Sequence, residues 1–127
     1  LKGSVALADI DLSGTKVTDA ALAPFKGSAR LTTVYLNSTA VGDAGVAHLA
    51  GCPALAEVWL DDTRVTNAGV LGLAGCKRLH TLNVRTSGVT KPAVVALAAA
   101  LPECKFGLPE GPYEYAPLTP RGAAEYV

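Results

Sequence analysis

Large aromatic side chains are scarce in this chain. They make up 6% of its 127 residues, with a single tryptophan, and methionine is absent. Apolar residues nevertheless amount to 50% of the sequence. That proportion is enough for a sizeable hydrophobic core in one domain, or in one piece of a longer one.

An excess of charge of either sign is also missing. Lysine and arginine balance aspartate and glutamate at 11 each, so the formal net charge is zero. A nucleic-acid-binding surface needs basic residues clustered on one face. No such cluster is visible in the sequence, and we expect no nucleic-acid partner.

Long apolar runs are absent as well. The longest, residues 93–101, is much shorter than the stretch of about 20 residues that a helix needs to cross a bilayer. No basic-then-apolar leader opens the sequence. We therefore expect no association with a membrane.

Cysteine is limited to Cys52, Cys76 and Cys104. A structural zinc site needs four ligands, usually in close pairs, and the sequence has no Cys-x-x-Cys pair, so we expect no metal and no cofactor. A disulfide between Cys52 and Cys76 is conceivable, but buried free thiols are the favoured interpretation. Free thiols are typical of a reducing compartment, which predicts a cytoplasmic location.

What the sequence does contain is an internal repeat of 24 residues. Leu7, Leu31, Leu55 and Leu79 begin four consecutive units. Apolar residues recur at fixed distances behind each of these leucines. The recurring columns are Ile10/Val34/Val58/Leu82, Leu12/Leu36/Leu60/Val84, Val17/Val41/Val65/Val89 and Phe25/Leu49/Leu73/Leu97. A period in the twenties with this apolar pattern indicates a leucine-rich repeat solenoid.

Each unit is predicted to fold as a strand, a turn and a short helix. In the second unit, Val34 and Leu36 alternate with polar residues, as in a strand with one buried face. Val46 and Leu49 then lie three residues apart, as on the apolar side of a helix. Stacked units would form an α/β fold, with a curved parallel sheet on the concave side and short helices on the convex side.

Polar residues and glycines mark the predicted helix ends and turns. Side-chain oxygens near the helix starts should cap free N–H groups, and the glycines after the helices should adopt positive φ angles. A column of hydroxyl groups should bind loop backbone groups, with a hydroxyl binding stripe as the alternative. The predicted capping residues are Asp43, Thr66, Asn67 and Thr90, and the glycines are Gly51 and Gly75. The hydroxyl column is Thr15/Thr39/Thr63/Ser87.

Two short motifs resemble the cysteine-containing class of leucine-rich repeats. One is Thr-Ala-Val-Gly-Asp-Ala-Gly-Val at 39–46, with similar segments at 15–22 and 63–70. The other is Gly-Cys-Pro-Ala-Leu at 51–55, with a similar segment at 75–79. Members of this class include substrate receptors of ubiquitin ligases that carry an F-box ahead of the repeats, and this sequence contains no F-box.

The repeat array is predicted to occupy residues 1–106. It begins in mid-repeat, because residues 1–4 align with residues 25–28, and this suggests a piece of a longer chain or complex. Over residues 107–127 the period is lost, and proline and tyrosine become frequent. We expect this segment to cap the last repeat, with a partner-docking tail as the alternative.

Catalytic groups are not brought together by the repeat pattern. His48 falls on a predicted helix and His80 at the entry to the fourth strand. Neither can be placed beside a nucleophile with an orienting carboxylate, as acyl transfer requires. We therefore predict that this segment is not an enzyme.

The outward-facing residues of the predicted strands form three columns on the concave side. These columns are Asp9/Thr33/Glu57/Thr81, Asp11/Tyr35/Trp59/Asn83 and Ser13/Asn37/Asp61/Arg85. An exposed pair of Tyr35 and Trp59, with a polar rim, has the composition of an interface hot spot. The alternative is that the array folds over the pair, or that the two are incidental surface residues. The predicted partner-binding residues are Asp9, Asp11, Tyr35, Glu57, Trp59, Asp61, Asp62, Asn83 and Arg85.

These features predict a non-catalytic protein–protein interaction module, a scaffold for a basic or mixed-charge protein partner. Two alternatives remain. The chain could be a structural component of a large assembly, such as a cytoskeletal one. It could also be the recognition arm of a ubiquitin ligase or kinase whose catalytic part lies outside this segment.

Overall fold

The computed structural model describes residues 8–107. This part of the chain contains five strands, each of three residues, alternating with helical segments. The strands are β1 (Asp9–Asp11), β2 (Thr33–Tyr35), β3 (Glu57–Trp59), β4 (Thr81–Asn83) and β5 (Lys105–Gly107). The helical segments are a 3₁₀ helix (Asp19–Phe25), α1 (Asp43–Leu49), α2 (Asn67–Leu71) with a 3₁₀ extension (Gly72–Gly75), and α3 (Lys91–Ala100).

The strands form one parallel sheet in the order β1-β2-β3-β4-β5. Each strand pairs with the next so that residues one repeat apart lie side by side, as in Ile10 with Val34 and Val34 with Val58. The helical segments also contact their neighbours in chain order. The predicted strand–turn–helix unit is therefore present, and every column of the repeat is a row of spatial neighbours.

The core lies between the sheet and the helical layer, where the sequence places it. Leu31, Leu36, Leu55 and Leu60 are all 0% exposed. Leu79 and Val84 are buried as well, whereas Leu12 is only partly buried and Leu7 lies outside the described residues. The burial of Leu36 and Leu60 confirms the predicted phase of the strands.

The first unit is less enclosed than the others. Ile10, Leu12 and Val17 are partly buried, while their equivalents one repeat later are 0% exposed. Among the described residues, β1 has a strand on one side only. The helical segment of this unit is a 3₁₀ helix that contains Pro24, which has no N–H to donate to an α-helical bond.

Thr66 and Thr90 are the N-cap residues of α2 and α3, as predicted, whereas the N-cap of α1 is Gly42 and not Asp43. The predicted capping bonds are wrong, because the polar residues near the helix starts join successive units instead. The N-cap residues of α1, α2 and α3 make no side-chain capping bond. Side-chain oxygens at the helix starts accept hydrogen bonds from the backbone of the next unit. The bonds are Gly42 N–H to Asp19 Oδ1 (2.7 Å), Thr66 N–H to Asp43 Oδ1 (2.7 Å) and Thr90 N–H to Asn67 Oδ1 (2.8 Å).

The expected positive φ angles at Gly51 and Gly75 are also wrong. Among the described glycines, Gly14 and Gly27 adopt positive φ angles.

At the C-terminal end of the array, β5 pairs with β4, and Cys104 and Phe106 are 0% exposed.

Apart from Gly107, the predicted cap at 107–127 lies outside the described residues. Over residues 8–107, no helix has the length and apolar character needed to span a membrane.

Candidate binding face

We use the term concave face for the outward-facing side chains of the sheet, together with the column that follows the strands. The strand register places these residues in three rows across the sheet. The rows are Asp9/Thr33/Glu57/Thr81/Lys105, Asp11/Tyr35/Trp59/Asn83/Gly107 and Ser13/Asn37/Asp61/Arg85. The outward phase predicted for these side chains agrees with the inward burial of Val34, Val58 and Leu82.

Tyr35 and Trp59 form an aromatic pair at the centre of the concave face. Their ring centroids are 5.9 Å apart and the ring planes are inclined by 31°. Both side chains are partly exposed. The indole Nε1–H of Trp59 donates a hydrogen bond of 2.7 Å to Oε2 of Glu57. This bond holds the indole ring in one orientation, as a preformed binding surface requires.

Carboxylates flank Tyr35 on both neighbouring strands, with Asp9 and Asp11 on β1 and Glu57 on β3. The pKa of Tyr35 is raised, chiefly by the negative charge of Glu57, then by burial, and then by the charges of Asp9 and Asp11. One of these acidic groups is fixed locally, because Oδ1 of Asp11 accepts from the N–H of Ser13 at 3.0 Å. The Thr32 hydroxyl lies 3.3 Å from Oδ1 of Asp9, but it has one hydrogen and is closer to the carbonyl oxygen of Ala8, at 3.1 Å. The potential around the tyrosine is therefore negative.

The third row of the concave face is a ladder of hydrogen bonds between units. Oγ of Ser13 accepts from the N–H of Asn37 at 3.1 Å, Oδ1 of Asn37 from that of Asp61 at 2.9 Å, and Oδ1 of Asp61 from that of Arg85 at 2.8 Å. The guanidinium of Arg85 also lies 3.8 Å from Oδ2 of Asp61. Burial raises the pKa of Asp61, although the Arg85 N–H and guanidinium oppose this. Asp61 therefore helps to stack the units, a role that sequence reasoning missed.

Asn83 has the predicted outward position but is not accessible. Its side chain is 0% exposed, and neither amide atom has a hydrogen-bond partner. The side chain lies over Gly107, where a Cβ atom would overlap Oδ1 of Asn83 and lie 3.3 Å from its Cα. The interpretation of Asn83 as an exposed contact residue is therefore wrong, because the missing side chain at position 107 lets the amide fold inwards.

The nine predicted residues thus separate into groups. Asp9, Asp11, Tyr35, Glu57 and Trp59 form a continuous surface, which we call the aromatic–acidic patch. Asp61 and Arg85 belong to the ladder, and Asn83 is buried. Asp62 is exposed in the turn after β3, where it has a positive φ of 55°.

The hydroxyl column acts within the fold, as predicted. Oγ1 of Thr39 donates to the carbonyl of Leu36 at 2.7 Å, and Oγ1 of Thr63 donates to that of Leu60 at 2.8 Å. Ser87 makes the equivalent bond to Val84 at 2.6 Å. These hydroxyl groups satisfy turn carbonyls that the sheet leaves unpaired.

The three cysteines are free and buried. Sγ of Cys52 lies 3.1 Å from the carbonyl oxygen of Phe25 in the preceding unit, and Sγ of Cys76 lies 3.5 Å from that of Ala50. Within residues 8–107, no group of three or more His, Cys, Asp and Glu residues could hold a metal ion.

Comparison with known proteins supports the fold. No family model matches the chain. No curated protein matches it either. Among solved structures, the crystal structure of the Drosophila melanogaster SNF/U2A′ complex matches with a TM-score of 0.67 and 17% sequence identity, over 98% of this chain and 68% of the matched chain. U2A′ is a leucine-rich repeat protein. The chain is thus an α/β leucine-rich repeat solenoid, with its parallel sheet on the concave side and its short helices on the convex side.

Proposed function

We propose that this solenoid is a non-catalytic protein–protein interaction module that binds its partner through the concave face. The observation that carries the proposal is the pairing of Tyr35 with Trp59 at the centre of that face. Tyrosine and tryptophan are enriched among the residues that dominate binding energies at interfaces. The hydrogen bond from Trp59 to Glu57 fixes the indole before a partner arrives, which reduces the ordering cost of binding.

The charges of the concave face favour a basic or mixed-charge partner. Asp9, Asp11 and Glu57 lie on the β1 to β3 side, and Arg85 and Lys105 lie towards β5. Complementary charge steers association and fixes the orientation of the partner. The acidic side would repel the phosphates of a nucleic acid, so a protein partner is favoured. The matched solved structure is itself one of a complex, SNF/U2A′.

Two features support finer assignments. The Gly-Cys-Pro-Ala-Leu segment at 51–55 and its free, buried cysteine are similar to the cysteine-containing repeat class and favour a reducing, cytoplasmic environment. Among residues 8–107, β1 pairs with a strand on one side only, and this edge favours a larger assembly in which the module serves as a scaffold or a recognition arm.

The test compares Trp59→Ala with Leu71→Ala. Leu71 is 41% exposed on α2, on the helical side of the solenoid, and it therefore controls for loss of an exposed apolar side chain. Proteins captured by the wild-type chain would be purified and their affinities for both variants measured, alongside thermal melts. We expect Trp59→Ala to weaken binding by about 2 kcal/mol or more and Leu71→Ala to leave it unchanged. A direct partner that binds both folded variants like the wild type would contradict the proposal.

A further inference from the structure

We infer that the aromatic–acidic patch binds an arginine side chain of the partner, with the guanidinium lying on the ring of Tyr35 and paired with the neighbouring carboxylates. This inference rests on the proposed function and names the group that the patch recognises. It follows from three properties of the patch: its geometry, its unused carboxylate oxygens, and the absence of a paired basic side chain among residues 8–107.

Acidic groups lie around the ring of Tyr35. Asp11 lies beside Tyr35 on β1, and Trp59 lies beside it on β3. Adjacent strands are about 4.8 Å apart, so the Asp11 carboxylate is within reach of a planar cation placed on the tyrosine ring. Asp9 and Glu57 occupy the diagonal positions in the next row.

Two of the three carboxylates, those of Asp11 and Glu57, are each held through one oxygen. Asp11 and Glu57 each use one oxygen to accept a hydrogen bond, from Ser13 and Trp59 respectively, whereas the Thr32 hydroxyl near Asp9 is closer to the carbonyl oxygen of Ala8. The second oxygen of each group makes no hydrogen bond to another described residue. The carboxylates of Asp11 and Glu57 are therefore oriented, and each keeps an acceptor for a ligand.

No basic side chain of the described region neutralises the patch. The ion pair found within residues 8–107 joins Arg85 to Asp61 in the ladder, outside the patch. The pKa of Tyr35 is raised by the charge of Glu57, then by burial, and then by the charges of Asp9 and Asp11, which agrees with a negative potential at the ring. A metal ion is a poor candidate, because these groups are not clustered as metal ligands.

Guanidinium fits this arrangement better than ammonium. Its flat, weakly hydrated surface stacks on an aromatic ring, and its fork of N–H groups pairs with a carboxylate through two bonds. A lysine ammonium is a compact and strongly hydrated charge, and it gains less on a surface that stays open to water.

The experiment is an NMR titration with three blocked tripeptides that differ at the central residue: Gly-Arg-Gly, Gly-Lys-Gly and Gly-citrulline-Gly. The signals are the indole N–H of Trp59 and the backbone amides of β2 and β3. We expect saturable shifts with the arginine peptide, with affinity on the order of millimolar, weaker binding of the lysine peptide, and no binding of the uncharged citrulline peptide.

Substitutions in the aromatic–acidic patch identify the side chains that bind the arginine peptide. Tyr35→Leu should lower the affinity for the arginine peptide about threefold, as expected for loss of an exposed cation–π contact. Tyr35→Phe keeps the ring and should bind the peptide like the wild type. Asp11→Asn should also weaken binding, while Asp62→Asn, an exposed acid outside the patch, serves as the matched control. If Tyr35→Leu does not fold, Asp11→Asn and the peptide series decide.

Equal binding of the lysine and arginine peptides would overturn the inference, and so would undiminished binding by folded Tyr35→Leu or Asp11→Asn. A protein partner that needs Trp59 but is indifferent to Asp11 would contradict this inference alone. A partner that is indifferent to Trp59 would contradict the proposed function.

Discussion

The carboxylate of Asp43 lies directly against the backbone of Gly69 in the next repeat unit. A Cβ atom at Gly69 would overlap Oδ1 of Asp43 and lie 3.1 Å from its Cα. The same relationship links Asp19 to Gly45, where a Cβ atom would lie 2.7 Å from Oδ1 of Asp19. A glycine on one helix therefore makes room for the side chain that joins the previous unit to it.

This contact predicts that Gly69→Ala and Gly72→Ala have opposite effects on the stability of the fold. Gly69→Ala should destabilise the fold, because the new methyl group displaces Asp43 from its bond to the N–H of Thr66. Loss of such a charge-assisted bond costs about 1.5–3 kcal/mol. Gly72→Ala is the control, since Gly72 has helical angles and no atom within 4 Å of the new Cβ.

Gly72→Ala should stabilise the fold by about 0.4–1 kcal/mol, because alanine loses less backbone entropy on folding. Urea unfolding of both variants gives the comparison. Equal stability of the two would show that Asp43 moves aside without loss.

Contacts within the repeat columns could be predicted from the sequence alone, whereas contacts at the helix starts could not. Parallel strands stacked with a constant register keep residues 24 apart side by side, so the pairing of Tyr35 with Trp59 followed from the period. The hydrogen bond between Asp43 and the N–H of Thr66 in the next unit did not follow from the period. A carboxylate at a helix start can cap its own helix or bind the next unit, and only the distance between stacked units decides.

Asn83 and Asp61 show the same limit at the candidate site. Both are polar and lie in outward columns, as the sequence indicates. The burial of Asn83 depends on Gly107 in the irregular last strand. The structural role of Asp61 depends on the backbone N–H of Arg85 one unit away. Neither relation is visible in the pattern of a single unit.

Removing a core leucine should destabilise the whole array. Leu60 is 0% exposed, and Leu60→Ala should lower the free energy of unfolding by about 2–5 kcal/mol. Leu71→Ala, at an exposed position, should change it by less than about 0.5 kcal/mol. Chemical denaturation followed by circular dichroism measures both. Similar values for the two variants would mean that the cavity at position 60 closes at little cost.

The cysteines should be unreactive in the folded protein. Burial raises the pKa of Cys104 to about 12, and it also raises the pKa of Cys52 and Cys76. Since the thiolate is the reactive form, labelling with Ellman's reagent at pH 8 should be slow for all three. In guanidinium chloride the same residues should react at the rate of free cysteine. Fast labelling of any of them in the native state would show local opening around that thiol.

Asp61 should make stability depend on pH in the opposite direction from a carboxylate whose pKa is lowered by an ion pair in the folded state. Burial raises its pKa in the folded state, against the smaller opposing effects of the N–H and guanidinium of Arg85. The folded protein then binds more protons than the unfolded chain between the two pKa values. The stabilising contribution is present below the unfolded pKa of about 3.9 and is lost as the pH rises through the folded pKa.

Asp61→Asn should remove this dependence while it preserves the ladder. Its amide oxygen can still accept from the N–H of Arg85, as the amide oxygen of Asn37 accepts from the N–H of Asp61 one unit earlier. We expect the variant to gain stability relative to the wild type as the pH rises from 4 towards neutrality. Urea unfolding of both proteins across that range measures the difference, and Asp62→Asn is the exposed control. A difference that stays constant with pH would show that the Asp61 carboxyl has the same pKa in the folded and unfolded states.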